Sequence, residues 1–409
     1  MSPVKTAPAE LTAGDSALRA QYLAEVLDLL YPVPCETAGG RGEPIAEYLV
    51  VPDARRPRLL VPTTSRRVAA AAVRRYAEPQ SRTARLKRDA VVAAIRTGAS
   101  SLLLRDRVRI TGPAAESIDG HLRAALGREL SVSIHIGPAR ANRKPVLQLI
   151  SPEGETFGFG KLSTGPLTER LVRAETAALD TLGRVRPRKL LVPTVLHAGQ
   201  WRGLRVLVQS ALPVWLPRAP LTPRRLVSAM LEIAGCRGYA SGTLAGSAYW
   251  TGLRARLAAV GDRPEGAALG SAAELLATHA GHQHLRYGAW HGDWAPWNMA
   301  NLADGLLVWD WERFATGVPV GFDAVHHELQ RRIQSAGDAA EAVEATVRRA
   351  GELLAPFDVP AEVRELTALL YLVDLAVRYL TDRQAEAGAR LGVLGTWLLP
   401  VLIRRVEEL

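Results

Sequence analysis

The chain has 409 residues, of which 48% are hydrophobic and 22% are charged, a composition ordinary for a soluble globular protein with two or three domains. Its two cysteines, Cys35 and Cys236, exclude a disulfide framework and suit a reducing cytoplasm. The N-terminus predicts no signal peptide, and the apolar runs near the C-terminus are too short to span a bilayer. We therefore expect a cytoplasmic protein with no membrane partner.

The net charge of +10 is concentrated in one segment. Residues 51–110 contain fifteen Lys or Arg and four Asp or Glu, a net charge of +11, so the rest of the chain is close to neutral. Either this segment is the solvated surface of an arginine-rich protein, or it anchors an acidic partner such as a peptide or a polyphosphate. Because Tyr76 is its only aromatic residue, base stacking has little support and we do not expect a nucleic-acid partner.

The first part of the chain predicts a small α/β module. Apolar residues recur at helical spacing over residues 16–30, and Pro32 follows the end of this helix. The elements predicted after it are strands at 47–51 and 58–61, helices at 68–77 and 83–96, and a half-exposed strand at 101–110.

A second group of strands carries a candidate lysine. The strands are predicted at residues 132–136, 145–150, 156–162, 190–197 and 204–209, with a helix at 168–182 among them. Only five of the 51 basic residues in the chain are lysines, so Lys161, at the end of an apolar strand, is a functional candidate. Glu175 lies on the apolar face of the predicted helix. For both residues the alternative is a surface charge on an amphipathic element. From residue 223 onward the pattern is mostly helical.

Two stretches near residue 300 place short oxygen-bearing side chains among tryptophans. They read WHGDWAPWN at 290–298 and LVWDWE at 307–312, and they contain Asp293, Asn298 and Asp310. A carboxylate among apolar rings is costly to bury unless a metal ion or a cation compensates it. Mg²⁺ takes hard oxygen ligands, commonly one or two carboxylates together with substrate phosphates. The alternative is a buried turn, in which Asp293 and Asn298 bond local backbone groups.

Both stretches resemble loops of the aminoglycoside-phosphotransferase family, small-molecule kinases with a protein-kinase-like fold. The family motifs are H-G-D-x-x-P-x-N, matched from His291 to Asn298, and D-W-E, matched from Asp310 to Glu312. In the family the histidine orients the catalytic loop. Asp323 is similar to a downstream aspartate that braces this loop.

The resemblance implies an α/β (α+β) fold class with a bilobal protein-kinase-like fold, in which a kinase-like N-lobe of sheet plus helix is predicted at 116–212 and a helical C-lobe with the catalytic loop at 213–409. The elements predicted ahead of it add an N-terminal basic α/β module at residues 1–115, which the resemblance does not cover.

The resemblance also implies a role for the oxygen-bearing residues. Asp293 would be the catalytic residue, which orients the acceptor hydroxyl and accepts its proton. Asn298 and Asp310 would hold Mg²⁺ against the β- and γ-phosphates.

A further set of residues is expected to bind the nucleotide. Lys161, fixed by Glu175, would hold the α- and β-phosphates of ATP. The connector that contains Gln209 and Ala211 would meet adenine through its backbone. The loop at 137–144 departs from the glycine-rich pattern that covers ATP phosphates in protein kinases, because Gly137 is its only glycine.

The predicted function is transfer of the γ-phosphate of ATP, with Mg²⁺, to a hydroxyl of a small molecule. One alternative is a kinase that phosphorylates Ser or Thr of a natural-product precursor peptide captured by the basic module. Another is a nucleotide-binding pseudokinase scaffold, which the glycine-poor loop favours and the intact set of oxygen ligands opposes. Residues 221–409 contain eighteen basic and twenty-two acidic residues, and this net charge of −4 is compatible with a cationic acceptor such as an aminosugar.

Overall fold

The computed structural model describes residues 13–37, 43–76, 82–99, 104–138, 140–335, 337–389 and 391–409. The chain divides into two compact units. The first comprises Met1–Ala139, Arg143–Val172 and Val195–Ala211, and the second comprises Arg140–Asn142, Arg173–Thr194 and Leu212–Leu409. Helices and mostly antiparallel sheets make up both units, so the predicted α/β fold class is confirmed.

The described residues form strands and α-helices that we number in chain order. The strands are β1 (Ala46–Val51), β2 (Leu59–Pro62), β3 (Arg107–Ile110), β4 (Ser131–His135), β5 (Val146–Ile150), β6 (Thr156–Leu162), β7 (Leu190–Leu191), β8 (Val195–Trp201), β9 (Leu204–Ser210), β10 (Ala240–Thr243), β11 (His284–Trp290), β12 (Met299–Asn301), β13 (Leu306–Val308) and β14 (Ala315–Pro319). The helices are α1 (Ala13–Leu30), α2 (Arg66–Tyr76), α3 (Arg82–Thr97), α4 (Ile118–Leu126), α5 (Pro166–Val185), α6 (Pro223–Gly235), α7 (Ala248–Ala258), α8 (Pro264–Ala280), α9 (Phe322–Ser335), α10 (Ala339–Arg348), α11 (Ala350–Leu354), α12 (Arg364–Thr381) and α13 (Leu399–Glu407).

One eight-stranded sheet, in the order β3–β1–β2–β4–β5–β6–β9–β8, runs through the first unit. Successive residues of β1 and β2 point to opposite faces of this sheet, and both faces are buried. Val50 and Leu60 pack in a cluster with α1 and α4, while Leu49 and Val61 pack in a second cluster with α2 and α3. This double burial explains why both strands are apolar without alternation.

Two strands differ from the sequence prediction. The stretch predicted as a single strand at 190–197 forms β7 in the second unit and then β8 in the first, because Pro193 between them has no N–H for a sheet ladder. The strand predicted at 101–110 begins only at Arg107, and residues 101–103 lie outside the described residues. Leu104, just before it, is buried in the cluster of α2 and α3.

The second unit carries two three-stranded sheets, β10–β11–β14 and β12–β13–β7, together with helices α6 to α13. β11 ends at Trp290, and the residues after it enter a loop. β12 and β13 form an antiparallel hairpin in which Met299 lies opposite Val308, so Asp310 follows directly beyond the hairpin. None of the helices in the described ranges is both long and apolar enough to cross a bilayer.

The predicted basic module and the predicted N-lobe share the sheet of the first unit. β2 pairs with β4 at Leu59 with His135 and at Leu60 with Ile134, which joins strands from before and after residue 116. The division into 1–115, 116–212 and 213–409 stays a prediction.

Candidate active site

The loop after β11 turns sharply at a glycine that the packing requires. Gly292 has φ +82°, a left-handed conformation that L side chains rarely adopt. A Cβ atom at this position would lie 2.3 Å from the carbonyl oxygen of Arg313. The loop and the residues after the second motif therefore approach each other so closely that only glycine fits.

Asp323, in the first turn of α9, fixes the start of this loop. Its carboxylate accepts hydrogen bonds from the backbone N–H groups of His291 at 2.8 Å and Gly292 at 3.1 Å, one on each oxygen. Burial raises the pKa of Asp323 to about 7 and outweighs these two donors, which favour the ionised form. Asp323 thus has the bracing contact that the family resemblance implies.

His291 ties the loop to the end of the β12–β13 hairpin. Its ring is completely buried, and burial lowers its pKa to about 4, so the imidazole is neutral at neutral pH. Nδ1 accepts a hydrogen bond from the backbone N–H of Asp293 at 3.1 Å, and Nε2 donates to the carbonyl of Trp309 at 3.0 Å. One neutral tautomer satisfies both contacts. The predicted orienting role of His291 agrees with this geometry.

The Asp293 carboxylate is held from both sides. Oδ1 accepts a hydrogen bond from Nε2 of His326 at 3.0 Å, and Oδ2 accepts one from Nδ2 of Asn298 at 2.9 Å. The side chain is nevertheless 33% exposed. Burial raises the pKa of Asp293, but the hydrogen bond from His326 and the nearby charge of Arg378 outweigh it and hold the pKa below its ordinary value. Asp293 is therefore an ionised carboxylate that solvent still reaches.

His326 contacts the Asp293 carboxylate, and the sequence interpretation did not include this residue. Burial lowers the pKa of His326, so the ring is neutral, and its Nδ1 accepts a hydrogen bond from the Tyr371 hydroxyl at 2.8 Å. Nε2 then carries the proton that is donated to Asp293. The sequence does indicate that His326 lies near this loop, because it follows Asp323 by three residues and so lies on the same face of a helix.

Arg378, near the end of α12, is a second missed contact. Its guanidinium donates to the backbone carbonyl of Gly292. Because Asp323 accepts from the N–H of Gly292, both backbone polar groups of this glycine are hydrogen-bonded. Arg378 lies 86 residues from this glycine, and no local sequence pattern indicates such a contact.

Asn298 connects the two motif stretches. Its Nδ2 also donates to the backbone carbonyl of Asp293 at 2.9 Å, and its own carbonyl accepts from the N–H of Trp309 at 3.0 Å. Asn298 thus bonds local backbone groups, as in the buried turn that was the alternative interpretation of the sequence. Within the described residues, however, Oδ1 of Asn298 makes no hydrogen bond, which leaves one hard oxygen for a ligand.

Three carboxylates meet beyond the hairpin. Glu175, Asp310 and Glu312 each offer an oxygen, and the three oxygens lie within 4.8 Å of one another. Asp310 has φ +70°, and Glu312 accepts a hydrogen bond from Nδ2 of Asn142 at 3.1 Å. Like charges at this spacing favour a divalent cation, and an all-oxygen donor set fits Mg²⁺. Glu175, which the sequence assigned to Lys161, lies in this cluster, and Glu312 was not predicted as a ligand.

The remaining predicted nucleotide residues belong to the first unit. Lys161 is 7% exposed on β6, opposite Leu207 of β9. Gln209 is also buried, and its Oε1 atom has no hydrogen-bond partner within the described part of the chain. The N–H of Ala211 donates to the carbonyl of Phe157 at 2.9 Å. Their contact with a nucleotide and the pairing of Lys161 with Glu175 stay predictions.

Several solved structures are similar to this chain. No family model matches the chain, and neither does any curated protein sequence. An aminoglycoside phosphotransferase matches at 13% identity and a TM-score of 0.42, over 70% of this chain and 98% of its own. A macrolide 2′-phosphotransferase from Brachybacterium faecium matches at 17% identity and a TM-score of 0.40, over 67% of this chain and 96% of its own. Choline kinase from Streptococcus pneumoniae matches at 14% identity and a TM-score of 0.40, over 64% of this chain and 90% of its own.

These are kinases of the kind that the two loop motifs resemble. One further match is an aminoglycoside phosphotransferase in a ternary complex with ADP and hygromycin B. At such low identity the likeness concerns the course of the chain, and the chemistry of this site follows from its own side chains.

Proposed function

We propose that the chain is an ATP- and Mg²⁺-dependent phosphotransferase that moves the γ-phosphate to a hydroxyl of a small molecule. The observation that carries this proposal is the state of Asp293. It is an ionised carboxylate, held on one side by His326 and on the other by Asn298, and still a third exposed. A purely structural carboxylate bonded in this way has no need of solvent access.

Asp293 would bind and orient the acceptor hydroxyl. Each of its oxygens already accepts one hydrogen bond and keeps a lone pair for another. Because its pKa lies below the ordinary range, Asp293 is a weak base, and its contribution is mainly the orientation of the attacking oxygen. The hydroxyl proton would pass to this carboxylate late in the reaction.

Asn298 and Asp310 would hold Mg²⁺, with Glu312 as a further oxygen ligand. Oδ1 of Asn298 faces no protein donor among the described residues, and Asp310 and Glu312 supply the negative charge. The bound ion would neutralise charge on the transferring phosphoryl group. Glu175 would contribute negative charge beside these ligands, in addition to its predicted pairing with Lys161.

Lys161 would hold the α- and β-phosphates as a compact charge, and the backbone at Gln209 and Ala211 would bind adenine. The acceptor class is proposed from two observations. The segment 221–409 has a net charge of −4, which suits a cationic alcohol. Similar structures include kinases whose names specify aminoglycosides and choline, both of which are cationic.

The test is phosphate transfer from labelled ATP to a panel of amino alcohols and aminosugars. Asp293→Ala should lower turnover by about 10²-fold or more, because the acceptor hydroxyl loses its orienting group. Nucleotide binding, measured by calorimetry, should survive. Asp304→Ala is the matched control, since Asp304 is exposed in the turn between β12 and β13 and should leave turnover unchanged.

Three results would contradict the proposal. Full activity of Asp293→Ala would refute the role of that carboxylate. Transfer only to serine or threonine of a peptide would replace the small-molecule acceptor by a peptide. Nucleotide binding with no Mg²⁺-dependent hydrolysis above background would leave a binding scaffold instead of an enzyme.

A further inference from the structure

A basic pocket lies on the surface of α2, in the first unit. It has a volume of about 290 Å³ and is lined on the α2 side by Arg67, Ala70, Ala71 and Arg74. These positions are i, i+3, i+4 and i+7, which form one stripe along a helix. A third arginine, Arg96, reaches the pocket from the last turn of α3.

The sequence of α2 explains why this stripe is a depression. The two lining positions between Arg67 and Arg74, Ala70 and Ala71, are both alanines, so the floor of the pocket is formed by methyl groups and the rim by guanidinium groups. The opposite face of the helix, at Val68, Ala69, Ala72 and Val73, is buried in the core. The position of the helix is therefore fixed by the core, and its small alanine side chains leave the space above the floor open.

The far side of the pocket is closed by the turn between β5 and β6. Gly154 in this turn has φ +84°, and a Cβ atom here would lie 3.1 Å from the carbonyl oxygen of Arg67. The turn thus rests directly on the backbone of α2. Glu153 beside it provides the single carboxylate of the lining.

The guanidinium groups of the pocket have no ion-pair partner within the described residues. The side chains of Arg67, Arg74 and Arg96 also make no hydrogen bond with any residue that the structure describes. Three guanidinium groups against the carboxylate of Glu153 leave a net charge of +2. Guanidinium groups are planar, carry several donors and bind phosphate in a bidentate manner. The volume is at the lower end of the range for ligand pockets, which suits a small ligand.

We propose that this pocket binds a small, multiply charged oxyanion, such as a diphosphate or an organic phosphate, through Arg67, Arg74 and Arg96. All of the residues involved belong to the first unit, and the site does not depend on the phosphotransfer proposed above. It gives the strongly basic segment a defined ligand in place of a diffuse attraction for acidic partners.

The test is calorimetric titration of the full chain with pyrophosphate, without Mg²⁺ and at low ionic strength, where charge attraction is least screened. We expect saturable binding that Arg74→Gln and Arg67→Gln each weaken about 10-fold. Arg109→Gln removes the same charge from the exposed face of β3, outside the pocket, and should change the affinity by less than about 2-fold. Glu153→Gln should tighten binding, because it removes the only opposing charge.

Ala71→Leu tests the shape of the pocket without changing its charge. Ala71 is partly exposed on the floor, so the longer side chain should fill the pocket and abolish binding, while circular dichroism shows the helix intact. Binding that Lys161→Met weakens and Arg74→Gln does not would belong to the proposed nucleotide site and would overturn the proposal for this pocket. Equal losses in Arg74→Gln and Arg109→Gln, or unchanged binding in Ala71→Leu, would overturn the proposal. So would the absence of saturable binding.

Discussion

Two regions of the molecule are rich in charge and use it in opposite ways. In the loop at 290–298, the Asp293 carboxylate and the His291 ring are matched by specific donors and acceptors, several of them distant in sequence. In the α2 pocket, three guanidinium groups have no counterpart in the described residues. Matched charges hold one geometry and leave little binding capacity, whereas unmatched charges at a surface recruit a ligand from solution. The first region is therefore suited to orient a reaction and the second to capture an anion.

The strongest way to break the ordered loop is Gly292→Ala. The added methyl group would meet the carbonyl of Arg313, and the backbone would also have to adopt a left-handed conformation with a Cβ atom. We expect a loss of about 2–4 kcal/mol in the free energy of unfolding and a fall in phosphotransfer of at least about 100-fold. Urea denaturation and steady-state kinetics would measure both.

Gly317→Ala is the matched control for this prediction. Gly317 also has a positive φ, +74°, but a Cβ atom there would meet nothing within 4 Å. This variant should lose only the backbone cost of about 1–2 kcal/mol and keep its activity. If the two variants were equally stable, the close approach of the loop to Arg313 would not be a constraint.

The second prediction concerns His326, which positions Asp293. His326→Leu removes the N–H donor to Oδ1, and we expect kcat to fall about 10-fold to 100-fold with little change in KM. His326→Gln keeps an N–H donor and should restore part of kcat. The control is His327→Gln, because His327 bonds only the carbonyl of Trp294. A rise in KM with kcat unchanged would argue against a positioning role.

The smallest effect is expected where a substitution turns matched charges of the second unit into unmatched ones. Glu328 on α9 accepts hydrogen bonds from Arg331, Arg332 and Arg349. Burial raises its pKa, but Arg331 and Arg332 outweigh burial and lower the pKa from 4.5 to about 2. Glu328→Gln would leave Arg331 and Arg332 without their carboxylate partner, whereas Arg349 keeps Glu352, and we expect a loss on the order of 2 kcal/mol in the free energy of unfolding at pH 7.

The pH dependence checks the cause of this loss. Because the folded pKa lies below the ordinary value, the stabilisation by Glu328 is complete above about pH 4.5 and is lost as the pH falls through 2. The difference in unfolding free energy between wild type and Glu328→Gln should therefore be constant from pH 7 to 5 and shrink below. A difference that persisted unchanged at pH 3 would point to packing instead of charge.

The local parts of the candidate site follow from short sequence patterns. Asp293, Asn298 and Asp310 were recognisable because short motifs place them at fixed positions on a loop and a hairpin. α1 and the apolar strands β1 and β2 followed from spacing and composition. The break between β7 and β8 was missed although Pro193 indicates it, because the apolar run on each side is continuous.

The distant parts of the site could not be predicted. Arg378 and Tyr371 lie on α12 and reach the loop only through tertiary packing. The grouping of Glu175 with Asp310 and Glu312 joins residues more than a hundred positions apart. Such contacts depend on how helices and hairpins assemble, which a single sequence does not encode in any local pattern.

The pairing of β2 with β4 has a consequence for how the basic segment can be studied. Without β1 to β3, one side of β4 would lose its ladder partners, and its unpaired N–H and C=O groups would offer a template for another chain. Removing α1 as well would uncover apolar residues such as Val132 and Ile134. A shortened protein that starts at residue 116 would thus report self-association rather than the loss of a ligand site. Point substitutions are the informative route to the role of this region.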